Sequence, residues 1–170
     1  MRELLGHTGR ALTTVVDYLG AEGTVEVATA AEYFRLARTA DPAAISARGK
    51  AAGAELGDDP VANLRQITER ATRSVQDAAD DELVGSPFGV MMLAEYLPTR
   101  TFELVVHTCD LAAATGRPLA PPAAPAASAM RLAAALAGPR AGEVLLALTG
   151  RGPLASGFSV LSDPSAPTAS

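Results

Sequence analysis

The residues best suited to chemistry lie on one face of a helix predicted over residues 93–115. Glu103 and His107 stand four positions apart there, with Arg100 and Asp110 on the same side. At about 100° per residue, the four side chains fall within an arc of roughly 80°. A glutamate and a histidine at this spacing can both reach one metal ion. An exposed helix edge with i,i+4 charge pairs has the same spacing, so this helix alone leaves both interpretations open.

The chain contains only two histidines, His7 and His107. His7 lies at the edge of the apolar arc of the predicted first helix, where it is either a partly buried, hydrogen-bonded residue or a ligand. If that helix packs against the Glu103 helix, His7, Glu103 and His107 form a set of two imidazoles and one carboxylate. Three protein ligands leave coordination positions open for water or substrate, as in catalytic metal sites.

Three further residues of the Glu103 helix have candidate roles. Arg100 is a candidate to bind a substrate carboxylate, or to hold Glu103 in place. Asp110 is either an acceptor for an imidazole N–H or a partner of Arg117. Cys109 lies about 200° around the helix from His107, so we expect it to face the core as an inert packing thiol.

The positioning elements are predicted to be mostly helices. Apolar residues recur at helical spacing, Asp-Pro pairs at 41–42 and 59–60 are typical helix starts, and Gly116 with Pro118 is a typical helix end. Helices are predicted over residues 2–19, 30–38, 42–56, 60–78, 93–115 and 126–137. The fold class is therefore mainly α.

The remaining segments have weaker patterns. Residues 83–92 contain two glycines and a proline and are predicted to be irregular. Residues 143–150 fit a short helix or a strand, and residues 157–161 could form a short strand. We expect one domain over residues 1–161 and a disordered tail over 162–170.

Composition excludes several classes of protein. The 170 residues carry a net charge of −5, and the 14 basic residues form no run, which argues against nucleic-acid binding. A single cysteine excludes an internal disulfide and fits a reducing, cytoplasmic compartment. The N-terminus lacks the features of a signal peptide, and no apolar run is long enough to span a membrane.

Three stretches resemble the mycothiol-dependent maleylpyruvate isomerase family, which belongs to the DinB-like metal-binding four-helix bundles. The most specific is EYLPTRTFELVVHTCDLAAATGRP at residues 95–118, with the core R-x-x-E-L-x-V-H-x-x-D-L-A-x-A-x-G. RELLGHTGRA at residues 2–11 resembles the first metal-ligand segment of the family. LLALTGRGPLASGFSVL at residues 145–161 resembles its terminal stretch.

The resemblance implies an up-and-down helical bundle and a divalent metal, usually zinc, held by His7, Glu103 and His107. It also implies mycothiol as a thiol cofactor and a small electrophilic substrate. The expected activity is thiol transfer or isomerisation, and the alternative is a non-catalytic bundle that binds metal or a protein partner. Family members usually carry a further helix before the first ligand, and the chain is expected to lack it. The uncovered apolar stripe, which would include some of Leu4, Leu12, Val15 and Leu19, then predicts a protein that is marginally stable or self-associates.

Overall fold

The computed structural model describes residues 1–118 and 120–162, and it confirms the mainly helical fold. The helices are α1 (Arg2–Tyr18), α2 (Ala30–Ala37), α3 (Pro42–Glu55), α4 (Pro60–Asp77), α5 (Leu93–Thr115), α6 (Ala123–Ala137) and α7 (Ala141–Leu148), with a short 3₁₀ turn at Gly138–Arg140. Two strands, β1 (Leu83–Ser86) and β2 (Gly89–Met92), precede α5.

Local signals place the helix ends. The side chain of Asp41 accepts a hydrogen bond from the N–H of Ala43, and the side chain of Asp59 accepts one from Ala62. These caps satisfy N–H groups that the first turn of a helix leaves free. At the other end of α5, Gly116 adopts a left-handed conformation with φ 63°, which glycine tolerates without steric cost. The predicted starts of α3 and α4 and the predicted end of α5 are therefore confirmed.

The prediction that residues 83–92 are irregular is wrong, because they form an antiparallel β-hairpin. Val84 pairs with Met91, and both side chains are fully buried. The Ser86 hydroxyl donates to the carbonyl of Gly89 across the turn. Each strand has only four residues, too few for a period-2 pattern to stand out from the flanking glycines and proline. The hairpin leads directly into α5.

The C-terminal part resolves two open interpretations. Residues 143–150 lie mostly in α7, so the helical alternative holds. Residues 157–161, which are all described, form no strand. Helix α6 begins at Ala123 rather than 126, since Pro122 stands at its N-cap. The predicted tail falls, apart from Ser162, outside the described residues, so the division into domain and tail stays a prediction.

Helix α1 packs against α3, α4 and α5, while α2 and α6 pack against α5. The main buried cluster joins α1 to α5 through side chains that include Val15, Tyr96 and Phe102. This packing sets α1 beside α5, the condition under which the two histidines can meet. Across residues 1–118 and 120–162, no helix combines the length and apolar character that a membrane span needs.

Candidate metal centre

His7 of α1 and His107 of α5 lie together at one end of the α1–α5 interface. Their rings are stacked, with centroids 5.7 Å apart and an angle of 30° between the planes. Glu103 Oε2 is 3.2 Å from His107 Nε2. All three side chains line one cavity of about 350 Å³. The structure thus brings the three predicted ligands into one site.

Both ring nitrogens of His107 face carboxylates. Nε2 faces Glu103, and Nδ1 lies 3.3 Å from Asp110 Oδ2. Asp110 therefore takes the first of its two predicted roles, that of an imidazole partner. Within the described residues, no three His, Cys, Asp or Glu side chains are arranged as a group that could hold a metal ion. The donor types suit zinc, but the side chains satisfy one another in this arrangement.

The two histidines have opposite pKa shifts. Burial, reinforced by the neighbouring His107, lowers the pKa of His7. Burial also acts to lower the pKa of His107, but hydrogen bonds to Glu103 and Asp110 outweigh it and raise that pKa. For Glu103, burial acts to raise the pKa, yet the hydrogen bond to His107 and the charge of Arg100 lower it overall. The site therefore favours a neutral His7 beside a charged His107–Glu103 pair.

Glu3 is a third carboxylate at the site, after Glu103 and Asp110, and it was not among the residues predicted from the sequence. Its Oε1 lies 3.9 Å from His7 Nε2, and the Ser46 hydroxyl of α3 donates to the same oxygen over 2.7 Å. That hydrogen bond lowers the pKa of Glu3. Glu3 and His7 repeat the spacing of Glu103 and His107, so the same E-x-x-x-H pattern was the signal that could have found it.

Arg100 is held by neutral groups. Its Nε donates to Thr99 Oγ1 over 3.0 Å and its Nη2 to the Tyr33 hydroxyl over 3.2 Å. The guanidinium also lies over the Tyr96 and Tyr33 rings, at 4.8 and 5.3 Å from their centroids, a cation–π arrangement. Among the described residues Arg100 forms no ion pair, with Glu103 or any other carboxylate. Its charge faces the cavity without direct neutralisation.

The rest of the cavity wall comes from residues that the sequence did not single out. Aromatic rings from α1, α2, the hairpin turn and α5 line it: Tyr18, Tyr33, Phe34, Phe88 and Tyr96. Two more arginines, Arg10 and Arg48, line it as well. Tyr96 is fully buried, and its hydroxyl has no hydrogen-bond partner in the described part of the chain. Burial raises the Tyr96 pKa, so the hydroxyl keeps its proton.

The prediction that Cys109 faces the core is wrong, because Cys109 is exposed. From Cys109 onward most of α5 is exposed, including Ala113 and Ala114. The apolar face of α5 therefore extends past the point at which neighbouring elements cover the helix. Small alanines leave little apolar surface to cover, so the end of the helix can stay in water.

Comparison with known proteins covers the region that carries the site. The family model described as the mycothiol maleylpyruvate isomerase N-terminal domain matches residues 1–112. That span runs from the start of α1 into α5 and contains His7, Glu103 and His107. No curated protein and no solved structure matches the chain. The match covers well over half of the 170 residues, and the chain therefore belongs to the mycothiol maleylpyruvate isomerase N-terminal domain family.

Proposed function

We propose that this chain is a metal-dependent thiol transferase or isomerase that uses mycothiol and acts on a small electrophilic substrate. His7, Glu103 and His107 would hold a divalent metal, zinc by the type of donors. One observation carries the proposal. The two histidines and the carboxylate of Glu103 line the same cavity, in a chain that belongs to a mycothiol-related family.

The donor chemistry fits the ion. Zinc sites with catalytic roles combine three imidazole or carboxylate ligands and leave a position for water or substrate. His7 is favoured in its neutral form, in which a nitrogen lone pair is available. His107 must give up its proton before it can ligate, so metal and proton compete at that ring. When bound, zinc would favour the thiolate form of a coordinated thiol and polarise a substrate oxygen.

The chain's own residues suit an anionic substrate. Arg100 is fixed by Thr99 and Tyr33 with its charge toward the cavity, where it can orient a carboxylate. The Tyr96 hydroxyl remains protonated and unpartnered, so it can donate a hydrogen bond to a bound ligand. The aromatic wall places apolar surface beside these polar groups. In these roles Arg100 is the candidate catalytic residue and Tyr96 an additional polar contact.

A second candidate function is a non-catalytic bundle that binds metal or a protein partner. One observation favours it: in the described residues His107 is engaged by Glu103 and Asp110, and no three-donor metal group is formed. A site of this kind could bind metal after rearrangement without an open position for a thiol. The two functions differ in whether a thiol reaches the metal.

The deciding experiment titrates cobalt-substituted protein with mycothiol. For a thiol transferase we expect a sulfur-to-cobalt charge-transfer band that appears when mycothiol is added and is absent in Glu103→Ala. Asp110→Ala is the matched control on the same helix, and it should keep the band because Asp110 contacts only the second nitrogen of His107. Tight cobalt binding with a spectrum indifferent to mycothiol would support the non-catalytic function instead.

A further inference from the structure

Helices α1 and α3 approach each other through glycines. Gly6 of α1 lies against Gly49 and Gly53 of α3, which are four residues apart and so share one helix face. A Cβ added at Gly6 would meet the carbonyl oxygen of Gly49, and one added at Gly53 would meet the carbonyl oxygen of Arg2. These two glycines allow the backbones to come close.

Gly49 differs from both, because the space it leaves is filled by a side chain. The three heavy atoms nearest to a Cβ placed there all belong to the His7 ring: Nε2, Cε1 and Cδ2, the last at 2.7 Å. Such a contact is well inside van der Waals distance. The imidazole therefore lies directly against the backbone of α3 at the position where any other residue would carry a side chain.

Helix α3 also contacts the polar partner of His7. Ser46 stands one turn before Gly49 and donates its hydroxyl hydrogen to Glu3 Oε1, the oxygen that lies 3.9 Å from His7 Nε2. One face of α3 thus borders the Glu3–His7 pair at two points, although α3 supplies none of the proposed ligands.

We propose that Gly49 is a positioning residue for the metal centre. By lacking a Cβ, it lets the His7 ring lie against α3 and within stacking distance of His107. This inference rests on the proposed function at one point: His7, whose ring Gly49 positions, is a proposed metal ligand. The placement of the ring by Gly49 can be tested with or without metal.

The test is Gly49→Ala. The added methyl group displaces the His7 ring, so we expect zinc affinity, measured by calorimetry, to fall about 10- to 100-fold, as for other residues that orient ligands. The fold should survive, because only the movable side chain is displaced and alanine is the better helix former. Gly142→Ala in α7 is the matched control: its Cβ meets nothing within 4 Å in the described residues, so zinc affinity should not change.

A double substitution separates this inference from the metal proposal. In a His7→Ala background the clash is gone, so Gly49→Ala should raise the thermal midpoint by about 2–4 °C. In the presence of His7 the gain should be smaller or reversed, and the NMR signals of the His7 ring should shift. Equal effects in both backgrounds and unmoved His7 signals would overturn the role of Gly49. Wild-type protein that binds no zinc would instead overturn the proposed function, while the ring signals and the double substitution still decide on Gly49.

Discussion

His7 and His107 stack across the interface of α1 and α5, with ring centroids 5.7 Å apart, although 100 residues separate them in the chain. Two positively charged imidazoles at this distance would repel each other, so at most one of them is favoured in its protonated form. The surroundings select which one. His107 has carboxylates at both nitrogens, whereas His7 has Glu3 at a longer distance of 3.9 Å.

The first prediction is the order of titration in metal-free protein. As pH falls, His107 should bind its proton first, above the ordinary histidine pKa of about 6.5, and His7 should follow below it. NMR spectra of the imidazole C–H protons check this directly, since only two histidines contribute, and His7→Ala assigns them. A His7 that titrates before His107 would contradict the electrostatics of the site.

The same shifts fix the sign of the pH effect on stability. The raised His107 pKa contributes stability that is present below about pH 6.5 and is lost as pH rises through the folded-state pKa. The lowered His7 pKa acts in the opposite sense: its contribution is present above about pH 6.5 and is lost as pH falls through its folded-state pKa. Urea unfolding of His107→Ala and His7→Ala across this range separates the two.

The second prediction concerns metal removal. Zinc at 100 times its dissociation constant should stabilise the folded chain by about 2.7 kcal/mol, a rise in thermal midpoint of roughly 5–10 °C. His107→Ala should lose most of that rise, and Asp110→Ala should lower zinc affinity only about tenfold. Calorimetry with and without a chelator measures both, together with the expected ratio of one metal per chain. A thermal midpoint that does not change when zinc is added would contradict the proposed metal centre.

Helix ends and spacing within one helix could be predicted because their causes are local. Asp41 and Asp59 cap the N–H groups two and three residues ahead, and Glu103 contacts His107 one turn away. The meeting of His7 with His107 could be stated only as a condition, because periodicity does not show which helices pack together. The family resemblance supplied what the periodicity lacked.

Features that depend on packing could not be read from the sequence. The Arg100–Tyr33 hydrogen bond spans 67 positions, and no local pattern connects the two residues. Cys109 was predicted to be buried because a helical wheel gives the direction of a side chain, not the presence of a neighbour to cover it. Gly49 lies inside a helix with no pattern around it that indicates a role, and only the position of the His7 ring gives it one.

The third prediction follows from the exposure of Cys109. An accessible thiol should react with a thiol reagent such as dithionitrobenzoate in the native protein, at a rate close to that in urea. Because Cys109 lies outside the cavity lining, Cys109→Ala should retain zinc affinity and any thiol-dependent activity. Loss of either in a folded variant would place this cysteine in the site.

The fourth prediction concerns the hydroxyl of Tyr96, which is buried without a partner in the described residues. The neighbouring Thr14 hydroxyl keeps its hydrogen bond to the Arg10 carbonyl, so Tyr96→Phe leaves no donor unpaired and should keep or raise stability, by up to about 1 kcal/mol. Tyr33→Phe is the contrasting variant, because it removes the acceptor of Arg100 and should destabilise by about 1 kcal/mol. If Tyr96 contacts a ligand, Tyr96→Phe should also weaken ligand binding. Urea unfolding and binding of a substrate anion measure the two effects separately.

The last prediction is self-association through an apolar groove. The groove lies between α4 and α5, which both pack on α1, and it has a volume of about 250 Å³. Leu12, Val75, Leu97 and Leu104 are among its lining residues. Of the apolar residues that were expected to be uncovered on α1, Val15 is buried, while Leu12 remains half-buried at this groove.

An open apolar surface of this kind favours association, because contact with a second molecule removes it from water. Sedimentation velocity should therefore show a concentration-dependent increase in mass. Val75→Lys should shift the equilibrium toward monomer, since a charge in the groove must stay hydrated. Val61→Lys is the matched control: Val61 is a largely exposed valine of the same helix, outside this groove, and it should leave the equilibrium unchanged. A wild-type chain that sediments as a monomer at all concentrations would contradict the prediction, because the groove would then stay exposed to water without driving association.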